Sequence, residues 1–350
     1  MMDFQNCLMR QISRHPSMRP QDLVKLCYQG AYGAEHLLRD PLQAKDRLER
    51  EFAGTEAADT ELYEIISPRI CRVNLAAWKY RRLPAEWLFR MFAQSALARG
   101  DDSDVFTAYL ETAGKLVEQG KTAFSLSDWK RYLEDYKAAG MNPVHHSESY
   151  RKSESPSYCI IDCQFLRSLP LLEEIARRAK DGQVFVIAID GRAASGKSTL
   201  AKLLKQVIHA DIVQMDDFFL PPDLRTEARH LTPGGNVHYE RFLEEVVPYI
   251  AKPQPFSYSV FDCSRMDFNG RKTIGNPQFR IVEGSYSCHP LFGRYADLTV
   301  FLQVEPAEQM RRILTRNGAE MAEVFRSKWI PLEEAYFQHD AIPEKADLRL

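Results

Sequence analysis

The residues with the clearest chemical potential are the nine from Gly191 to Thr199, which fit the pattern G-x-x-x-x-G-K-[ST] and one further threonine. Glycines let the backbone curl until successive N–H groups face inward, which makes an anion site at the positive end of a helix dipole. In such a loop Lys197 reaches the outer phosphates of a nucleotide, and the Ser198 hydroxyl takes a place on Mg²⁺. We therefore predict a nucleotide-phosphate site; the alternative is an ordinary glycine-rich turn. The predicted binding residues are Gly191, Ala194, Ser195, Gly196, Lys197, Ser198 and Thr199.

Two flanking elements must hold this loop in place. Val184 to Ile189 are six consecutive apolar residues, which is typical of a strand buried on both faces. After the loop, apolar residues recur at helical spacing through Leu200, Leu204 and Val207. The order strand, glycine loop, helix is the order that phosphate binding requires.

Carboxylates follow two other predicted strands. Ile212 to Met215 ends on Asp216 and Asp217, and Phe279 to Val282 ends on Glu283. Phosphoryl transfer needs a cradle for the donor, Mg²⁺, and a carboxylate that orients the acceptor and takes its hydroxyl proton. These carboxylates fit the last two tasks. The alternatives are a helix cap for the aspartates and a solvated strand end for Glu283.

Arginines are concentrated in a later helical segment, which Pro306 opens and Gly318 is expected to close. They either form a solvated face or belong to a lid that folds over transferring phosphate. We expect one or two of them to be functional, and favour Arg312 and Arg316. The four arginines considered are Arg311, Arg312, Arg316 and Arg326.

Strand and helix signals alternate through the rest of this half, which predicts a parallel sheet flanked by helices. Asn269-Gly270 is a two-residue turn signal between Ser257–Asp262 and 271–274, so a hairpin is expected there. A further strand is expected at Leu298 to Val304, and a short last one at Ala346 to Leu350.

The first 140 residues or so predict helices, with few strand signals. Pro20 suits the first turn of a helix, and Ser125 to Asp128 form a plausible capping box. From Met141 to Pro170 the composition shifts to Ser, Pro, His and Arg, which indicates a linker, with a short strand at Cys159 to Asp162. We therefore predict a mostly α-helical domain over 1–165, whose residues 141–165 are linker-like, and a second domain over 166–350.

Two polar clusters in the first half stand out, Tyr28 to His36 and His145 to Arg151. Glu35, His36, His145 and His146 together could form a metal site or a phosphate-ester site. Their spacing matches no metal signature, and solvated or core histidines are the commoner explanation.

Composition limits the class of protein. The chain has 350 residues, a formal charge of −2 and seven cysteines with no C-x-x-C pair. This balance argues against a general nucleic-acid or membrane-surface binder, and scattered cysteines suit reduced thiols. No apolar run approaches 18 residues. We expect a soluble cytoplasmic protein with a small-molecule partner, and homo-oligomer formation stays open.

Taken together, four motifs of the second half resemble the uridine kinase group of P-loop kinases, which includes phosphoribulokinase and the bacterial pantothenate kinases. The resemblance covers about residues 170–350. It implies an α/β P-loop kinase fold, ATP, Mg²⁺ and transfer to a primary hydroxyl. The motifs are Ile189–Thr199, Met215–Phe219, Tyr258–Asp262 and Ile281–Gly284.

The resemblance also implies roles for single residues. Asp216 matches the catalytic base and acts with Lys197, Arg312 and Arg316. Ser198, Glu283 and Asp217 are the expected metal residues. Acceptor binding falls to Asn236, His238, Tyr258 and Arg265.

The sequence departs from this family on the acceptor side. Pro233 to Tyr239 stands where uridine kinases carry an Asp-His-Pro-like motif, and Cys263 replaces a histidine. We therefore expect an ATP- and Mg²⁺-dependent kinase for a hydroxyl compound other than a pyrimidine nucleoside. One alternative is a nucleotide-dependent switch or regulatory ATPase whose helical half binds a partner. Another is a bifunctional enzyme with His145 and His146 in a second site.

Overall fold

The computed structural model describes residues 4–97 and 102–350 of the chain. The chain divides into two compact units, Met1–Leu169 and Pro170–Leu350. Among the described residues, no helix is both long and apolar enough to cross a membrane. Each unit is described separately below.

The first unit contains eight α-helices within its described residues. Pro20 starts the second helix and Leu23, Val24 and Leu26 bury its apolar face, as the sequence predicts. The predicted capping box is also present, since the Ser125 hydroxyl accepts from the Asp128 amide at 3.1 Å. The helices are α1 (Phe4–Arg14), α2 (Pro20–Tyr32), α3 (Pro41–Gly54), α4 (Leu75–Tyr80), α5 (Ala85–Leu97), α6 (Ser103–Glu118), α7 (Leu126–Ala138) and α8 (Glu148–Glu154).

A three-stranded antiparallel sheet completes this unit, and most of it was not predicted. It has the order β1 (Tyr63–Ile65), β2 (Ile70–Asn74), β3 (Tyr158–Asp162). Only β3 was expected. The pattern of β2 is broken by Arg72, which is buried and donates to Gln29 at 2.6 Å. A charged residue in so short a run weakens the apolar signal on which strand prediction depends.

Residues 141–165, whose composition indicates a linker, contain α8 and β3. Tyr150 and Ile161 from this segment are buried. One of its polar residues has a structural role: the Ser147 hydroxyl accepts from the Tyr150 amide at 3.2 Å and caps α8. Serine is equally common at helix caps and in linkers, so composition alone does not separate the two.

The second unit is built on a five-stranded parallel sheet with helices between the strands. The strand order is β10-β9-β4-β8-β5, with β4 in the centre and fully buried. This confirms the predicted parallel sheet, including the short last strand. The strands of this sheet are β4 (Phe185–Gly191), β5 (Ala210–Gln214), β8 (Phe279–Glu283), β9 (Leu298–Leu302) and β10 (Leu348–Arg349); β6 (Phe256–Asp262) and β7 (Asp267–Ile274) form a separate hairpin.

The helices of this unit connect its strands. Gly318 breaks α13 where a helix end was predicted, since its φ of 79° is not helical, and a second helical segment then continues to Val324. A π-helical turn, Phe325–Trp329, then joins it to the next helix. The helices are α9 (Leu169–Arg178), α10 (Lys197–Ile208), α11 (Glu227–Leu231), α12 (Tyr239–Glu245), α13 (Pro306–Val324), α14 (Ile330–Asp340) and α15 (Ile342–Lys345).

The predicted position of the hairpin turn was wrong. Phe261 pairs with Phe268 and Asp262 with Asp267, so the chain reverses at residues 263–266. Asn269 and Gly270 lie inside β7. They fall where the pairing changes register, between the pairs Ser259–Arg271 and Phe261–Phe268. Gly270 has a φ of 77°, so the same conformational freedom that suits a turn serves an irregularity of the strand instead.

Gly191 lets β9 approach the start of the phosphate loop. Its φ is +142°, and a Cβ there would lie 2.3 Å from the Leu302 carbonyl oxygen. We predict that Gly191→Ala lowers the free energy of unfolding by about 1–3 kcal/mol, measured by urea denaturation. The control is Gly182→Ala, which has a φ of +74° and open space around a Cβ. Equal losses in the two variants would show that the close approach of β9 contributes nothing.

Candidate functional site

The phosphate loop has the backbone geometry that anion binding needs. Gly196, with a φ of 100°, stands at the N-cap of α10 and has no side chain to bond the first amides of the helix. Those amides have no acceptor within the helix, so they remain available to a phosphate. The loop is closed on one side by the Ser195 amide, which donates to the Arg192 carbonyl at 3.1 Å.

Lys197 lies over this loop. Its ammonium group donates to the carbonyls of Gly191 at 2.6 Å and Arg192 at 3.0 Å, and to the Ser285 hydroxyl at 3.2 Å. Two of these partners belong to the loop itself. The lysine is therefore held at the loop by neutral acceptors, which a phosphate would replace with charged ones.

Ser198 and Glu283 form a direct pair across the ends of α10 and β8. The Ser198 hydroxyl donates to Glu283 Oε2 at 3.1 Å. Glu283 is buried, and this burial and the charge of Asp216 raise its pKa, while the Ser198 hydrogen bond and Lys197 lower it. A hydroxyl and a carboxylate are the oxygen donors that Mg²⁺ takes in such sites. The parallel pairing of β4 with β8 places Glu283 opposite Ile189, at the start of the loop that leads to Ser198.

Asp216 belongs to the same cluster. The surrounding cleft desolvates its carboxylate and raises its pKa, although the residue keeps solvent contact; Lys197 and Arg316 lower the pKa and Asp217 raises it. Asp216 therefore interacts electrostatically with both Glu283 and Lys197. A carboxylate with a raised pKa is a stronger base than an ordinary aspartate.

Asp217 has a different environment from its neighbour. Its Oδ2 accepts from the Tyr258 hydroxyl at 2.7 Å, and the Lys272 ammonium lies 3.6 Å away. Both partners come from the β6–β7 hairpin. Asp217, which was expected as a metal residue, is thus engaged with the hairpin.

The expected acceptor residues lie on segments next to Asp216 and Asp217. Val237 pairs with Phe219, and the His238 amide donates to the Phe218 carbonyl at 2.8 Å. Asn236 is buried and bonds Tyr286, while His238 caps α12 through its Nδ1. Arg265 is exposed in the hairpin turn.

Cys263, also in that turn, bonds the Arg225 guanidinium and interacts with the charge of Asp216. Desolvation raises the pKa of its thiol, although Arg225 opposes this. The position that carries a histidine in the uridine kinase group therefore holds a neutral thiol near Asp216.

The arginines of α13 separate into two groups. Arg312 donates to the Ala194 carbonyl of the phosphate loop at 3.1 Å, and the charge of Arg316 lowers the pKa of Asp216. Arg311 pairs with Glu308, as Arg312 also does, and Arg326, in the π-helical turn after α13, pairs with Glu323. The functional roles expected for Arg312 and Arg316 stay predictions.

Several residues of the site were missed by sequence reasoning. Asp190 is fully buried directly before the loop, and Glu333 of α14 accepts from the Ala193 amide at 2.9 Å and from the Ser285 hydroxyl at 2.6 Å. For Asp190 a signal existed, namely a charged residue between an apolar strand and the loop. Glu333 has no local signal, because a glutamate on a helix is usually solvated.

We predict that Tyr258 and Asp217 act as one unit. Tyr258→Phe removes the donor and should lower the free energy of unfolding by about 1.5–3 kcal/mol, the usual contribution of a hydrogen bond to a charged group. In a double-mutant cycle with Asp217→Ala, measured by urea denaturation, we expect a coupling above about 0.5 kcal/mol. Tyr295→Phe is the control, since Tyr295 donates to the Ser287 carbonyl and shares no partner with Asp217. Additive losses for Tyr258 and Asp217 would contradict the pairing.

No family model matches the chain. Among solved structures, the chain is similar to a possible uridine kinase from Bacillus stearothermophilus, with a TM-score of 0.42 and 16% identity over 53% of this chain and 99% of that one. It is also similar to a protein provisionally named a fructose transport system kinase from Silicibacter sp. TM1040, with a TM-score of 0.43 and 22% identity over 52% and 97%. At these scores the likeness adds nothing to what the strand order and the phosphate loop establish. The chain thus resembles uridine kinase-like P-loop proteins over about half of its length.

Proposed function

We propose that this chain is a kinase that transfers a phosphoryl group from ATP, with Mg²⁺, to a hydroxyl of a small molecule. The observation that carries the proposal is the bond between Ser198 and Glu283 beside Lys197, with the charge of Asp216 acting on the same cluster. A phosphate cradle, an oxygen donor pair and a second carboxylate are the parts that phosphoryl transfer needs.

The residues present fit ATP and Mg²⁺. The uncapped first turn of α10 and Lys197 suit the phosphates, and Ser198 with Glu283 suits a hard cation. When bound, the cation would neutralise charge on the transferring group. Arg312 and Arg316 would add positive charge from α13.

Asp216 is the proposed base. It is more exposed than Glu283, so a substrate hydroxyl can reach it, and its raised pKa favours proton acceptance. Asp217 is less suited, because protonating it would disturb its bond with Tyr258. These contrasts assign the two aspartates to different tasks.

The acceptor is proposed to differ from uridine and cytidine. The neutral Asn236 stands near where the family carries a carboxylate, and Cys263 replaces its histidine. A site built to hydrogen-bond a substrate hydroxyl discriminates strongly when one partner is absent, by about 10⁴-fold in strong cases. All seven cysteines are thiols in the described structure, which also supports a cytoplasmic location.

A substrate screen tests the function. We expect the full chain to phosphorylate at least one alcohol among nucleosides, pantothenate-like alcohols and sugars, measured as ATP- and Mg²⁺-dependent ADP release together with product mass. Lys197→Ala should abolish this turnover without changing the circular dichroism spectrum, because the lysine meets phosphate rather than the core. ATP hydrolysis that no acceptor stimulates would instead favour a nucleotide-dependent switch.

A matched pair of variants tests the assignment of the base. Asp216→Asn should retain ATP binding and lose acceptor phosphorylation by about 10²–10⁴-fold, since the amide cannot take the proton. Asp217→Asn should be milder, because the amide oxygen still accepts from Tyr258. In the wild type, the acid limb of kcat/KM should lie above the ordinary aspartate pKa of about 4. A larger loss in Asp217→Asn than in Asp216→Asn would show that the base is assigned to the wrong carboxylate.

A further inference from the structure

The first unit contains a cavity of about 580 Å³ that the kinase site does not use. This volume is in the range of small-molecule sites. The cavity lies among α2, the turn Glu35–Leu38, the start of α6 and the loop after α7. Its lining residues used below are Tyr28, Tyr32, Glu35, His36, Arg39 and Phe106.

One wall of the cavity is aromatic. The ring centroids of Tyr28 and Tyr32 are 4.7 Å apart, and Phe106 lies 5.6 Å from Tyr28 and 5.5 Å from Tyr32. Such a wall offers flat apolar surface together with phenol groups. It therefore suits a ligand with a planar ring and polar substituents.

His36 borders the aromatic wall, with its ring centroid 5.5 Å from that of Tyr28, and it is surrounded by cationic groups. The four charged groups that act most strongly on His36 are Lys25, Arg47, Arg39 and His145, all of them cationic or able to become so. Burial and these cations lower the pKa of His36 to about 4, so the ring is neutral at physiological pH. The Nδ1 atom of His36 is buried and has no hydrogen-bond partner among the residues that the structure describes.

Arg39 is the cation best placed to meet a ligand. It lines the cavity and is exposed, and it makes no ion pair with any residue in the described part of the chain. The lining contains one carboxylate, Glu35, whose charge raises the pKa of Tyr28 while Arg39 lowers it, and the charges that act most strongly on His36 are cationic. An anion is therefore favoured at the His36–Arg39 end.

A metal ion fits this region less well. The described residues contain no group of three or more His, Cys, Asp and Glu side chains that could hold one. His146, the fourth residue of the predicted cluster, bonds Asp22 at 3.1 Å and Tyr158 at 2.7 Å and is already satisfied. Glu35 and His36 thus remain at the cavity while His146 belongs to a buried structural network.

We propose that this cavity binds a small phosphate ester that carries a planar ring. Arg39 binds the phosphate with its planar guanidinium, which matches phosphate oxygens, and the cations around His36 stabilise the charge. The ring packs on Tyr28, Tyr32 and Phe106. A nucleoside monophosphate has both parts, so UMP is a suitable probe.

Hydrogen exchange followed by mass spectrometry tests the site on the full chain. UMP should slow exchange in peptides covering residues 28–39 and 103–107, and the midpoint of this local protection gives an affinity for this cavity alone. Uridine and inorganic phosphate, which each lack one part of the ligand, should need at least about 10-fold higher concentrations. Because the readout is local, binding at the phosphate loop does not affect it.

Matched arginine variants complete the test. Arg39→Gln should raise the UMP midpoint about 10- to 100-fold, the loss expected for charge-assisted hydrogen bonds. Arg50→Gln should leave it unchanged, since Arg50 is exposed on α3 and outside the lining. Protection confined to peptides of the second unit, equal midpoints for UMP and uridine, or equal effects of the two arginine variants would overturn the proposal. Failure of this test leaves the kinase proposal intact. Absence of kinase turnover likewise leaves the proposal for this cavity intact.

Discussion

The buried carboxylate of Asp190 ties together the parts that form the phosphate site. Its Oδ1 accepts from the amides of Gly191 at 2.7 Å and Tyr286 at 3.2 Å, and its Oδ2 from the Cys288 amide at 3.0 Å and the Tyr336 hydroxyl at 2.9 Å. Burial raises the pKa of this group to about 6, and its donors lower it. When the pH rises through 6 the carboxyl ionises, and the four donors then stabilise a charge that is costly to bury. The end of β4, the segment after β8 and α14 therefore depend on one group.

A second set of contacts extends from this anchor to the lysine. Glu333 and Tyr336 are three residues apart on α14, so they lie on the same helix face. Tyr336 bonds Asp190, while Glu333 bonds Ala193 and Ser285, and Ser285 in turn accepts from Lys197. The loop is thus supported by a helix that lies more than 130 residues later in the chain. This support explains how a loop rich in glycine can keep a defined shape before any phosphate binds.

The sequence predicted those parts of the fold whose signals are local. The strand before the loop, the loop itself and the start of α10 are contiguous, and β8 ends directly on Glu283. The failures have physical causes of two kinds. In β2 a tertiary partner allows Arg72 to be buried, and at Asn269-Gly270 a permissive backbone serves an irregularity of the strand where a turn was expected. In both kinds, the local signal permits several structures and distant contacts select one.

The two adjacent aspartates illustrate the same limit within the candidate site. Met215–Phe218 forms a 3₁₀ turn, and because such a turn has three residues per revolution, the side chains of Asp216 and Asp217 point about 120° apart. One therefore faces the cluster of Lys197 and Glu283, and the other meets Tyr258 and Lys272 of the hairpin. The sequence shows that both can ionise, but the partners that distinguish them lie far away along the chain. A site that needs one fixed and one basic carboxylate can obtain both from a single dipeptide, provided that the hairpin is in place to bind the second.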